Sequence, residues 1–214
     1  MRLRNLFSAA VAILALVATT NATTVWDESV NGDLSGSQAA PTPILLSVGT
    51  NSVIGNLRIT SAGDSQDWLA VTVPAGAQLT SFVHAAYTST DAQGFTGFQT
   101  GSAFVGSPGV ASSYNGYAHF GTGATNGSLP ATNTVGTDLF PIMADNSPGG
   151  TSAGASGFTI PLGPGAYTFL IQQTGSATTS YQFNYNVVPE PASLGVLLLG
   201  GAALMARRRT CRMR

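Results

Sequence analysis

The chain has 214 residues and a formal net charge of −1, yet it contains no lysine and draws all eight of its basic residues from arginine. Seven of those arginines lie in the two terminal segments, so residues 23–188 set Arg58 alone against eight carboxylates, a net of −7. A surface so poor in cations cannot neutralise phosphates, which excludes nucleic acid and anionic lipid headgroups as partners of the body.

The N-terminus reads as a secretory signal. Arg2 and Arg4 form a positive start, Leu6 to Val17 is an apolar run, and Thr20 and Ala22 are small residues placed for a cut after Ala22. The run is too short to be an easy bilayer span. The segment 1–22 is therefore expected to be a removable helix, and the body is expected to be exported.

The first polar turn of the body is Asp27-Glu28-Ser29-Val30-Asn31-Gly32-Asp33. Its oxygen-bearing side chains at Asp27, Asn31 and Asp33 partly match a calcium loop, with Gly32 at the sharp turn; the closing position is Gln38 rather than glutamate. The plain alternative is a polar surface turn. Pro43–Val48 and Ser52–Ile59 read as strands joined into a hairpin by Gly49-Thr50-Asn51. A second acidic turn holds Asp64 and Asp67, where one carboxylate would cap the turn and the other face solvent. Calcium bridging strand ends at either turn (Asp27, Asn31 and Asp33, or Asp64 and Asp67) is the only cofactor the body suggests.

Trp68–Val73 alternates, with Trp68, Ala70 and Thr72 on one face and Leu69, Val71 and Val73 on the other. Pro74 to Ala77 turns the chain, and Gln78–Tyr87 supplies the next strand. The middle is less regular: Gly116–Gly121 is expected to be a strand, Thr137–Met143 a short helical turn and Gly149–Gly157 a flexible loop. Within that loop Gly150-Thr151-Ser152-Ala153-Gly154 fits the pattern of a serine-hydrolase elbow. It lacks the flanking strand and helix, and both histidines, His84 and His119, precede it. The two histidines read as ordinary sheet positions. Ala166–Gln172 and Tyr181–Val187 are the last strands, the latter with Tyr181, Phe183, Tyr185 and Val187 on one face and Gln182, Asn184 and Asn186 on the other. Tyr114, Tyr117 and Tyr181 would suit stacking on sugar rings if exposed. Many short strands with Gly and Pro punctuation and little helix predict an all-β fold, an antiparallel β-sandwich of jelly-roll type.

Gly63-Asp64-Ser65-Gln66-Asp67-Trp68, followed by the alternating strand, the VPAG turn and Gln78-Leu79, resembles the bacterial pre-peptidase C-terminal domain. The resemblance covers Ser47 to Tyr87 and implies a small β-sandwich, a non-catalytic accessory module of secreted proteins.

The chain closes with Val188-Pro189-Glu190-Pro191, the uncharged stretch Ala192–Ala206, and Arg207, Arg208 and Arg209; its one cysteine, Cys211, follows in the arginine-rich tail. The body therefore has no thiolate nucleophile and no disulfide. As a helix the uncharged stretch would span about 22 Å, short of a bilayer core. The arginines would hold its end on the cytoplasmic side. The two prolines predict an extended, hydrogen-bond-poor stretch on the outer side, open to a processing enzyme. This segment resembles the PEP-CTERM sorting signal, with Val188 to Pro191 and the arginine cluster as the matching residues. The resemblance implies recognition and cleavage by a membrane-embedded exosortase after export by the secretion machinery. It also implies transient residence in the inner membrane through a C-terminal helix and delivery to the cell surface or extracellular matrix. An association with exopolysaccharide and biofilm follows from it as well.

The expected organisation is thus a signal peptide at 1–22, a sandwich body at 23–188 and a sorting segment at 189–214. The expected role is structural or interaction-based and non-enzymatic. A calcium- or carbohydrate-binding module is the alternative, and an extracellular hydrolase the more distant one.

Overall fold

The structure, a computed structural model, describes residues 22–58, 64–122, 135–173, 175 and 177–191. The signal segment, the C-terminal apolar stretch and Arg207, Arg208 and Arg209 lie outside the described residues. Among the described residues no helix is long and apolar enough to cross a membrane.

The chain is mostly β. Among the described residues nine strands form two packed sheets: β1 (Thr23–Asp27), β2 (Thr42–Leu45), β3 (Gly49–Leu57), β4 (Gln66–Val73), β5 (Ala77–Thr88), β6 (Gln93–Thr100), β7 (Gly116–Gly121), β8 (Gly165–Gln173) and β9 (Thr179–Pro189). One sheet has the order β1-β3-β9-β5 and the other β2-β4-β8-β6-β7. Two one-turn α-helices, α1 (Glu28–Asn31) and α2 (Phe140–Met143), and a 3-10 turn at Ala111–Ser113 complete the regular structure of the described residues. Both sheets are mixed: β1 pairs with β3 and β2 with β4 in parallel, at the outer edges of otherwise antiparallel ladders. This corrects the expectation of purely antiparallel pairing.

The chain changes sheet at most of its connections. Pro43–Val48 and Ser52–Ile59 were expected to form a hairpin, but β2 joins β4 and β3 joins β9, in opposite sheets. The reason is local. Ile44 and Leu46 are buried against the core, and Asn51 holds the crossing segment by accepting from the Ser47 amide and donating to the Ser47 and Gly49 carbonyls. A buried asparagine that closes the loop on itself leaves no two-residue turn to fold a hairpin.

The strict alternation of β9 is realised. Tyr181, Phe183, Tyr185 and Val187 face the core, while Gln182, Asn184 and Asn186 line the outer face and bond to Ser52, Thr50 and Ser81. Strand β5 keeps Leu79, Phe82, His84 and Tyr87 inward only because bulges between Leu79 and Ser81 and between His84 and Ala86 reset its period. Its free edge is covered by the segment before α2, where Gly136 and Leu139 amides bond the His84 and Phe82 carbonyls. The other sheet is buried on both faces. Leu69, Val71 and Val73 enter the main core, whereas Trp68 and Leu170 on the reverse side are roofed by Phe104 and Tyr114 of the β6–β7 connection.

Phe82 lies at the centre of the core, with ring centroids 4.6 Å from Phe183, 5.0 Å from Phe169 and 5.0 Å from Tyr185. These contacts join β5 and β9 of one sheet to β8 of the other, so they carry much of the sheet-to-sheet adhesion. Phe82→Ala is expected to lower unfolding stability by about 3–5 kcal/mol in a denaturant titration. Leu45→Ala, at a side chain 72% exposed, should change it by less than about 0.5 kcal/mol.

Candidate functional site

The two acidic turns, separate in sequence, converge at one end of the sandwich. In the first, Asp27 caps α1: its Oδ1 accepts from the Ser29 amide at 2.9 Å and the Ser29 hydroxyl at 2.6 Å. Asn31 Oδ1 accepts from the Asp27 amide at 2.9 Å, and Gly32, at φ +89°, ends the turn. Asp27 and Asn31, both expected as calcium ligands, are thus engaged in shaping the loop. Gln38, the expected closing position, donates to Gly106 elsewhere.

Glu28, which the ligand pattern did not single out, has the central place. One of its oxygens accepts from the Leu34 amide at 3.1 Å, and the other from the Asn56 amide and side chain, each at 2.6 Å. Beyond it, Leu34 is buried and Ser35 bridges to Trp68, with the Trp68 amide bonded to the Ser35 carbonyl at 2.8 Å. This docking lays exposed Asp33 beside the start of β4.

Asp67 on β4 points inward and is fully buried, which corrects the expectation of a capping or solvent-facing carboxylate. Tyr181 of β9 donates its hydroxyl to Asp67 Oδ2 at 2.6 Å across the gap between sheets. Gly55 makes this reach possible: it pairs with Tyr181, and any Cβ there would collide with the Tyr181 ring. No donor among the described residues reaches Asp67 Oδ1. Oxygens of Glu28, Asp33 and Asp67 all lie within 4.8 Å of one another. Asp64, bridged to Arg58 through the backbone, is close enough to add to the negative field at Glu28 and Asp67. An open depression lined by Glu28, Ser29, Asn56, Arg58 and Ser180 leads to this end of the molecule.

Burial lifts Asp67 to about 9, against the opposing hydrogen bond from Tyr181 and with help from the Glu28, Asp64 and Asp33 charges. Burial likewise lifts Glu28 to about 7, despite its backbone hydrogen bonds. An oxygen-only donor set of this kind suits a hard cation.

The other sequence candidates separate from this cluster. Ser152 is buried: its hydroxyl donates to the Tyr117 carbonyl at 2.9 Å and accepts from the Tyr117 amide at 2.6 Å. The Gly149–Gly157 stretch, expected to be flexible, is pinned to β7 by these bonds. His84 sits in the core against Phe120, Tyr87 and Phe183, and His119 packs edge-on to Phe95. Tyr181 is buried and Tyr114 is 2% exposed, so of the three tyrosines considered for sugar stacking only Tyr117 reaches the surface. Val188 and Pro189 extend β9 opposite Gln78 and Ala77, and the Glu190 amide bonds the Gly76 carbonyl at 2.9 Å. The Val188–Glu190 stretch, expected to be hydrogen-bond-poor, is therefore docked on the sandwich. No protein-family model matches the chain, and no curated protein matches it.

Two predictions follow from these geometries. Both Asp67 and Glu28 hold protons more tightly folded than unfolded, so without metal the native state binds more protons across the interval from their ordinary values, 3.8 and 4.5, to about 9 and about 7. Stability in chelator should accordingly fall as pH rises from about 5 to about 8.5, and Asp67→Asn should flatten the thermal-melt profile. Ser152→Ala, which strips two hydrogen bonds from β7, should cost about 1–2 kcal/mol in denaturant titration.

Proposed function

We propose that this chain is an exported, non-enzymatic β-sandwich that serves a structural or interaction role at the cell surface or in the extracellular matrix. It reaches that place through a removable signal peptide and an exosortase-processed C-terminal segment, after a transient stay in the inner membrane. The observation that carries the reading is the charge layout: an acidic body with one arginine lies between two arginine-bearing terminal segments, the second preceded by Pro-Glu-Pro. Two structural details agree with it. Strand β1 begins at Thr23, directly after the expected cut at Ala22, and β9 ends at Pro189, inside the expected processing motif. Removing both segments would take from the strands of the described residues only Pro189 at the end of β9.

Within this reading the body is a jelly-roll-like accessory module of the pre-peptidase C-terminal kind, linked to exopolysaccharide and biofilm. The commitment of the Ser152 hydroxyl to the Tyr117 backbone supports a non-catalytic role over a serine hydrolase. The uncharged outer face of β3, β9 and β5, built from Ser, Thr, Asn and Gln, suits a hydrated polysaccharide setting.

Intact-mass analysis of the protein recovered from its producing cell tests the reading. A mature species beginning at Thr23 and ending between Pro189 and Pro191 is expected. A species retaining Arg214 would overturn sorting and make the C-terminal segment a permanent one.

A further inference from the structure

We infer that Glu28, Asp33 and Asp67 form a calcium site that fastens the N-terminal loop to the opposite sheet. The inference is independent of the export reading, since it rests on side-chain geometry in the body alone.

Three observations converge on it. First, one carboxylate oxygen from each residue falls within a sphere where any two are at most 4.8 Å apart. Calcium–oxygen distances of about 2.3–2.6 Å allow ligand oxygens to stand as far apart as about 5 Å, so a single ion can touch all three. Second, Asp67 is fully buried and its Oδ1 has no donor among the described residues, although Oδ2 is held by Tyr181. A buried acceptor left open in this way calls for an explanation, and a cation placed among the three carboxylates supplies one. Third, the surroundings are built to hold negative charge in place. Glu28 accepts three N–H bonds, and Oε1, which accepts only one of them, keeps a free lone pair. Tyr181 is anchored by the space that Gly55 vacates. These supports orient the first ligands and leave Asp33, which is exposed, to close over the ion.

Ligand chemistry selects the metal. Carboxylate oxygens without imidazole or thiolate disfavour zinc and copper. Two of the three carboxylates are fixed by the fold, and calcium accepts such irregular cages. Magnesium demands a near-octahedral shell at about 2.1 Å and retains its waters. The open depression beside Glu28 leaves room for water ligands on that residue's side of the ion. Asp64 stands near as a further source of charge.

The test uses the full chain, stripped with chelator, then melted at neutral pH with calcium or magnesium. A site with only three protein carboxylates, one of them on an exposed turn, is expected to be a weak one, with Kd of about 10⁻⁴–10⁻³ M. Calcium at about ten times Kd should raise the Tm by about 3–6 °C, and the same concentration of magnesium should raise it by less than about 1 °C. Asp33→Asn leaves the fold's hydrogen bonds intact, so it should fold normally and lose at least about tenfold in calcium affinity. Asp67→Asn should lose the shift altogether, while Asp145→Asn, remote from the cluster, should keep it. No shift with calcium at about 10 mM, or an undiminished shift in Asp33→Asn, would overturn the site. An equal response to magnesium would overturn the assignment to calcium.

Discussion

The hydrogen bond from Tyr181 to Asp67 is the one polar contact around which this sandwich is organised. It crosses from β9, in the interior of one sheet, to β4 in the other, through a region otherwise filled by aromatic and aliphatic side chains. A carboxyl group in such a place is costly unless its hydrogen-bonding needs are met. Tyr181 meets half of them, and it can do so only because Gly55 leaves the ring a path across β3. Three strands are thereby tied to the placement of one acid. The N-terminal loop follows, since its Leu34 and Ser35 dock beside the same strand and bring Asp33 and Glu28 to the same end.

That arrangement concentrates charge where the rest of the body has little. Eight carboxylates are spread over residues 23–188, but four of them, Glu28, Asp33, Asp64 and Asp67, influence one another through partly buried space. The only body cation, Arg58, opposes Asp64 rather than the inner acids. Without a cation the cluster relieves itself by keeping protons, which is why both Asp67 and Glu28 lie above the ordinary carboxylate range. With a divalent ion the same groups would ionise, because a bound cation reverses the local preference. The fold therefore tolerates the cluster in two chemical states, and the solution outside chooses between them.

How much of this could be read from the sequence depended on whether the deciding contacts were local. Strand β9 was legible because alternation records burial of one face directly, whereas β4, β7 and β8, in the sheet covered on both faces, were legible as short apolar runs bounded by turn residues. Strand β6 was not, because Gly94 and Gly97 interrupt its apolar pattern; Cβ atoms there would strike Phe120 and Tyr114. The β2–β3 hairpin was misread because pairing partners are set by long-range packing, and adjacent strands in this chain mostly belong to different sheets. The acidic site was half legible. Asp33 and Asp67 were singled out but assigned to separate turns, since nothing in their spacing says that β4 receives the N-terminal loop. Glu28 was passed over because a ligand pattern weighs alternate positions, whereas a one-turn helix brings the intervening side chain round to β3. Its signal was present only in composition: it is the single glutamate of the body.

Strand β9 also fixes where the candidate site lies relative to the Pro-Glu-Pro stretch. Tyr181 is near its beginning and Pro189 at its end, eight residues on in an extended chain. At about 3.3 Å per residue those points are roughly 25 Å apart. The Pro-Glu-Pro end is docked on the Gly76 turn, so the last described residues do not trail freely from the sheet but leave it in a set direction. On the export reading, this places the membrane-proximal end at the Gly76 turn and the carboxylate cluster at the far end, facing outward. A cation held there would brace the N-terminal strand β1, whose ladder is parallel and whose other edge is unpaired among the described residues. The element most exposed to fraying would then be secured by the ion that the carboxylate cluster holds, at the end of β9 opposite the Pro-Glu-Pro stretch.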